Sequence, residues 1–268
     1  MNGYAEVNGV RLYYEDVGSG RPLIFLNSGL CDLRMWEAQV QAFSRSHRVI
    51  SYDMREHGKT LPVPGTYRHL DDLAGLMDQL KIETAVLVGC SMGGTLAIDF
   101  TLEHPGRVQG LVDVTGDPSG FTFEGDPPPM WDEVAAAFKA GEIEKTARLE
   151  AIMWLAGPTR TEADLDPTVL ERVSEMNLIA LRAEKAEGGE ARRVEPPALG
   201  RLDQITVPLL AIAGEFDDPE ISRSLAFLAD KAASGKLVTM AGCAHLPNME
   251  NPLKFNDILS EWLQENGL

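Results

Sequence analysis

The sequence predicts an α/β domain, with a mostly parallel central sheet flanked by helices and an inserted helical cap. Three observations predict it. Short apolar segments recur up to Val114, helical stripes fall between them, and the alternation stops there and resumes at Val207.

Residues 11–14, 23–26, 49–52, 85–88, 108–112, 209–213 and 237–240 read as strands. Several are apolar throughout, which implies burial on both faces and hence parallel pairing. Between them, Leu33, Trp36, Val40 and Phe43 share one stripe and Leu70, Leu73, Met77 and Leu80 another, each with helical spacing. The stretch after Ser91, with Leu96, Ala97, Ile98, Phe100 and Leu102, is apolar on nearly every side and should be the most buried helix. From about residue 121 to 197 no strand is expected. Helical stripes appear instead at Trp131, Val134, Ala135 and Phe138, at Leu149, Ile152, Met153 and Leu155, and at Leu170, Val173 and Ile179. Asp166 ahead of Pro167 supplies an N-cap and a first-turn proline for the third. Turn-rich stretches at 125–129 and 188–197 bracket this region. The core is therefore assigned to residues 1–118 and 198–268, and the cap to residues 119–197.

The 268 residues carry 24 Lys and Arg against 41 Asp and Glu, a net charge of -17. That balance repels nucleic acid, anionic membranes and strongly anionic ligands at long range, so a neutral small molecule is the expected partner. Oligomeric state is not legible. Cys31, Cys90 and Cys243 form no even framework and have no zinc-ligand spacing, and the start lacks a signal-peptide pattern. A reducing cytoplasm and an absence of metal or organic cofactor are the expectations. No apolar run approaches the length of about 18 residues needed to span a bilayer.

The chemistry centres on Gly89-Cys90-Ser91-Met92-Gly93, which follows an apolar run and opens a helical stretch. This is the context of a G-x-S-x-G nucleophile elbow, whose turn is too tight for a Cβ on either side of the serine. A serine nucleophile needs a neutral imidazole beside it. Of five histidines, His47, His69 and His104 fit surface or helix-end roles, and His57 lies in a loop after a strand and is a lesser candidate. His245 is preferred, because it sits in a loop after the last strand, where open α/β sheets place their sites. A carboxylate must hold that imidazole. Asp217 and Asp218 compete after the strand at 209–213; Asp218 precedes Pro219 as an N-cap would, so Asp217 is assigned. Asp113 and Asp117 are weaker alternatives. The order Ser91, Asp217, His245 is that of one of the three common triads. Two amides must meet the oxyanion: that of Met92, and one from the loop after residues 23–26, with Gly29 preferred and Leu30 next.

With these residues, the chain resembles the α/β-hydrolase superfamily over nearly its whole length. The matching segments are 27–36, 53–58, 89–94, 214–217 and 242–252. The resemblance implies Ser91 as nucleophile, Asp217 as acid, His245 as base and the amides of Gly29 and Met92 as oxyanion donors. Two departures stand out. Asn27-Ser28 replaces the usual His-Gly and is similar to the 3-oxoadipate enol-lactonase branch, and Glu56 occupies a position commonly glycine. Relatives that act as dehalogenases or epoxide hydrolases carry aspartate at the elbow, where this chain has Ser91.

The expected activity is hydrolysis of small, largely uncharged esters or lactones through an acyl-enzyme. Phe121, Phe123, Trp131, Met153 and Trp154 of the cap, with Leu30 and Leu246, are the expected substrate-binding residues; the alternative for any one of the five cap residues is cap core. An enol-lactonase would want a cation over the site, which the sequence does not locate. A ligand-binding receptor without turnover and a carbon-carbon bond hydrolase are the competing readings.

Overall fold

In the computed structural model, which describes residues 1–186 and 188–268, the chain opens with β1 (Asn2–Val7), β2 (Val10–Gly18), β3 (Pro22–Leu26), α1 (Glu37–Phe43) and β4 (Arg48–Tyr52). It continues through β5 (Gly65–Tyr67), α2 (His69–Gln79), β6 (Ala85–Cys90), α3 (Met92–Glu103) and β7 (Val108–Val114). Three helices follow, α4 (Trp131–Ala140), α5 (Ile143–Ala156) and α6 (Pro167–Glu184), then the short β8 (Gly189–Ala191). The alternation resumes with β9 (Leu209–Gly214), α7 (Pro219–Lys231), β10 (Gly235–Met240), α8 (Pro247–Glu250) and α9 (Pro252–Glu265).

One sheet runs β1-β2-β4-β3-β6-β7-β9-β10. β1–β2 and β2–β4 pair antiparallel, and the remaining neighbours pair parallel. Because side chains alternate across a strand, the apolar strands feed two cores. Ile24, Leu26 and Leu87 meet Leu73 of α2, Leu96 of α3 and Leu225 of α7, while Leu23, Phe25, Val86 and Val88 meet Trp36, Phe43 of α1 and Phe255 of α9. The second core also takes in Leu155 of α5 and Val173 of α6, so the cap helices sit on the face that carries α1 and α9. As expected, α3 is deeply buried, and Asp166 caps α6 by accepting the N–H of Thr168 (2.7 Å) ahead of Pro167.

Three strands, β1, β5 and β8, correct the sequence reading. β1 alternates exposed and buried residues at the sheet edge, a period too weak to signal a strand from sequence, and β5 is three residues paired only with β8. β8 falls where only helix was expected. Its Gly-Glu-Ala has no β-branched or aromatic residue, and it is extended because it pairs in parallel with β5 and because its Gly189 N–H donates to Glu56 Oε1 (2.9 Å). Glu56 sits at φ 69°, so the departure from glycine keeps the left-handed backbone and adds a bond to the segment that leaves the cap. Among the described residues, no helix is long and apolar enough to cross a membrane.

Candidate active site

The strand order reverses at β3, with β4 on one side and β6 on the other, which opens a crevice beyond their carboxyl ends. Ser91 stands at that crevice. Its backbone is at φ 52°, ψ -117°, a conformation that costs about 1–3 kcal/mol and survives only where the surroundings enforce it. Enforcement is visible on both sides. A Cβ on Gly89 would lie 2.1 Å from Gly93 O, and one on Gly93 would lie 2.4 Å from Leu26 O. The Ser91 N–H donates to Val114 O (2.8 Å), which pins the turn to β7.

The structure brings Ser91, His245 and Asp217 together. The Ser91 hydroxyl donates to His245 Nε2 at 3.0 Å, and His245 Nδ1–H donates to the Asp217 carboxylate at 2.9 and 3.1 Å. An acceptor-only carboxylate on Nδ1 fixes the tautomer that leaves Nε2 free to take a proton. The imidazole and carboxylate are buried, 3% and 5% exposed, so solvent screens their interaction little. Asp217 Oδ1 also accepts the Asp218 N–H (2.8 Å), while Asp218 caps α7 by accepting the Glu220 N–H (2.8 Å). The two neighbours therefore divide between orienting the imidazole and capping, as the sequence implied. The Thr115 hydroxyl donates to His245 O (2.8 Å) and holds the histidine loop against β7.

The loop after β3 is closed by a buried side chain. Asn27 Nδ2 donates to Ser28 O (3.0 Å) and Cys31 O (2.6 Å), and Cys31 N–H returns to Ser28 O (3.1 Å). Among the described residues, the amides of Gly29 and Leu30 have no acceptor. The first N–H of α3, that of Met92, lacks one by helix geometry. Gly29 lies beside Met92: a Cβ there would be 3.9 Å from Met92 Sδ. His57 adjoins the same loop, its ring nitrogens 2.7 Å from Arg55 O and 3.1 Å from Gly29 O. It is thus placed behind the loop, with its ring taken up by carbonyls.

The other candidates have other surroundings. Burial pushes His69 down to about 4, and His104 packs its ring on Phe100. Asp113 is fully buried, which pushes its carboxyl well up, and its Oδ1 accepts the Gly116 N–H. Asp117 is raised by burial to about 6, with His245 pulling it the other way. Cys31 and Cys243 are pushed up to about 12 by burial, and Cys90 is pushed well up by the same cause.

Of the expected substrate-binding residues, Trp154 reaches the site: its ring centroid is 4.4 Å from that of His245. Met153 and Leu246 are buried, and Leu30 packs on the same core as Leu246. Phe121 packs on Phe123 and on Phe227 of α7, under Arg223. Phe123 and Trp131 are 45% and 49% exposed. An enclosed apolar pocket walled by Phe121, Phe123 and Trp131 is therefore not what the fold builds. A cleft of about 410 Å³ lies instead along α3, from Met92 past Thr95 and Leu96, with Arg192 and Arg193 on its wall.

The family model described as "Alpha/beta hydrolase family" matches residues 23–258. The chain belongs to this family. A relative from Acinetobacter baylyi, "3-oxoadipate enol-lactonase 2", is 29% identical over 92% of this chain and 91% of its own. The solved enol-lactonase from Burkholderia xenovorans LB400 is similar over 97% of this chain and 99% of that one, at 26% identity and a TM-score of 0.78. A thermophilic esterase from Thermogutta terrifontis superposes with a TM-score of 0.80 at 26% identity, over 99% of each chain. Within the α/β-hydrolase frame, Thr115 and Glu250 are polar residues that the sequence did not mark. Glu250 carried one signal, a carboxylate five residues after His245 in a turn-rich stretch.

Proposed function

We propose that this α/β hydrolase is a serine carboxyl-ester hydrolase acting on small, largely uncharged esters or lactones. The observation that carries the reading is the hydrogen-bonded line from Ser91 Oγ through His245 to Asp217. Ser91 Oγ attacks the carbonyl carbon while His245 Nε2 takes its proton, and Asp217 stabilises the imidazolium. The amides of Met92 and Gly29 receive the oxyanion; each such donor is worth about 3–4 kcal/mol of transition-state stabilisation. The tetrahedral adduct collapses, and His245 returns the proton to the leaving alkoxide, which departs as the alcohol or stays tethered as the opened lactone. Water then repeats the cycle on the acyl-Ser91 ester, giving the acid and free enzyme.

The test is hydrolysis of a graded panel of p-nitrophenyl esters beside simple lactones. Ser91→Ala should lower kcat on the order of a millionfold. Retained turnover in that variant would refute the assignment. Steady multiple turnover, as opposed to one burst with retained product, separates an enzyme from a receptor on the same fold.

A second reading, 3-oxoadipate enol-lactonase, is favoured by Asn27-Ser28 and by the placement of Arg192 and Arg193 on the cleft beside Met92. A substrate carboxylate would find its cation there. If it holds, Arg192→Gln with Arg193→Gln raises KM for the enol-lactone and leaves KM for a neutral ester unchanged.

A further inference from the structure

Arg160 and Glu250 have no part in the mechanism above, yet they form a largely buried joint between the cap and the loop that carries His245. From α8, Glu250 Oε1 accepts the N–H of Ala244 (2.8 Å) and of Leu246 (3.3 Å), the residues on either side of His245. Arg160 Nη2 donates to Glu250 Oε2 at 2.8 Å, and the side chains are only 15% and 10% exposed. The same guanidinium donates to Leu155 O and Ala156 O, the last carbonyls of α5, and to Gly242 O (3.0 Å). It also lies over the Phe216 ring, 4.8 Å from the centroid, immediately before Asp217.

Two further amides of this loop depend on the same neighbourhood. His245 N–H donates to Trp154 O (3.3 Å) in α5, and Gly242 N–H donates to Glu215 Oε2 (2.8 Å). Residues 242–246 have no helix or strand to hold them, so their course follows from these bonds. An exposed Arg–Glu pair would contribute little. Here, loss of the arginine would leave a buried carboxylate without its counter-charge, and that carboxylate would protonate or swing outward and release the amides flanking His245. Several acceptors converge on one guanidinium, which suits its planar set of five donors and not the single ammonium of lysine.

We propose that Arg160, acting through Glu250, is a positioning residue that couples the seating of the cap to the alignment of His245 between Asp217 and Ser91. The inference rests on the hydrolase reading for its kinetic consequence, and on the contacts alone for its structural one. Nε2 must stay within hydrogen-bond reach of Ser91 Oγ throughout proton transfer, and a displacement of about 1 Å costs roughly a hundredfold in rate.

The test combines kinetics on a p-nitrophenyl ester with the low-field proton resonance of His245 Nδ1–H. Arg160→Met should lower kcat roughly a hundredfold with KM little changed, and should broaden or displace that resonance. Arg160→Lys should recover part of the loss. Guanidinium ion below denaturing concentration should restore part of the activity of Arg160→Ala, entering through the cavity of about 210 Å³ that Arg160 and Glu250 line with Leu155 and Gly242. The double variant of Arg160→Met with Glu250→Met should be no slower than the slower single, because the two act as one unit. An Arg160→Met protein with wild-type kcat and an unmoved resonance overturns the proposal. So does a kcat loss that merely tracks the unfolded fraction, with the resonance of the folded remainder unchanged and no response to guanidinium. If the wild-type chain hydrolyses no ester or lactone, the hydrolase reading falls, while the resonance still decides whether Arg160 holds the imidazole.

Discussion

The indole of Trp154, carried by α5 of the cap, stacks on the imidazole of His245 with centroids 4.4 Å apart and planes inclined by 35°. An aromatic face beside a ring that becomes cationic during proton transfer favours the charged state over the neutral one. Such a contact contributes about 0.5–2 kcal/mol. Trp154→Ala should therefore lower kcat/KM by roughly two- to thirtyfold, and Trp154→Phe by less. Equal kcat/KM in all three proteins would show that the ring only packs.

Asn27 is completely buried. Its amide group satisfies the carbonyls of Ser28 and Cys31 and so sets the path of the loop that offers the Gly29 and Leu30 amides. In Asn27→Ala the Cys31 carbonyl loses its donor, at about 1–3 kcal/mol, while Ser28 O keeps the Cys31 N–H. Thermal unfolding should move down by several degrees, and kcat should fall more than KM rises, because an oxyanion donor acts in the transition state. A variant with lower Tm and unchanged kcat would show that the loop keeps its course without Asn27.

The parts of the site that follow from one-dimensional pattern were legible. Ser91 announces itself because its turn excludes side chains at 89 and 93, and Asp218 declared itself a cap through Pro219, which left Asp217 for the imidazole. What stayed hidden depends on contacts between distant segments. β8 has no strand-forming residue and exists through β5 and Glu56. The cap aromatics Phe121, Phe123 and Trp131 carry the same composition as a pocket wall, and only their packing on α7 and their exposure distinguish them. Thr115 bonds to His245 O, 130 residues on, and Arg160 to Glu250, 90 residues on, so no sequence spacing betrays either.

Glu56 joins a backbone cost to a long-range gain. A non-glycine residue at φ 69° costs about 1–2 kcal/mol, and the carboxylate on Gly189 N–H offsets part of that. Glu56→Gly removes both terms and should leave Tm nearly unchanged. Glu56→Ala keeps the cost and loses the bond, so it should lower stability by about 1 kcal/mol. A larger loss in Glu56→Gly than in Glu56→Ala would show that the backbone strain is not the term that matters.

Asp117 gives a pH dependence whose direction follows from burial. Its carboxyl is raised from 3.8 to about 6, burial being the larger cause and His245 a partial offset. Between these values the unfolded chain has released a proton that the folded chain still holds, so stability falls as pH rises through the window and stays reduced above it. Asp117→Asn carries no such proton. Relative to wild type, its Tm should be nearly equal at pH 4 and higher at pH 7, by the equivalent of about 1–3 kcal/mol. All other titrating groups are shared, so the difference between the two Tm–pH curves reports this carboxyl together with its coupling to Asp113 and Asp99. Curves that run parallel from pH 4 to pH 7 would mean that water reaches Asp117 and that burial does not raise it.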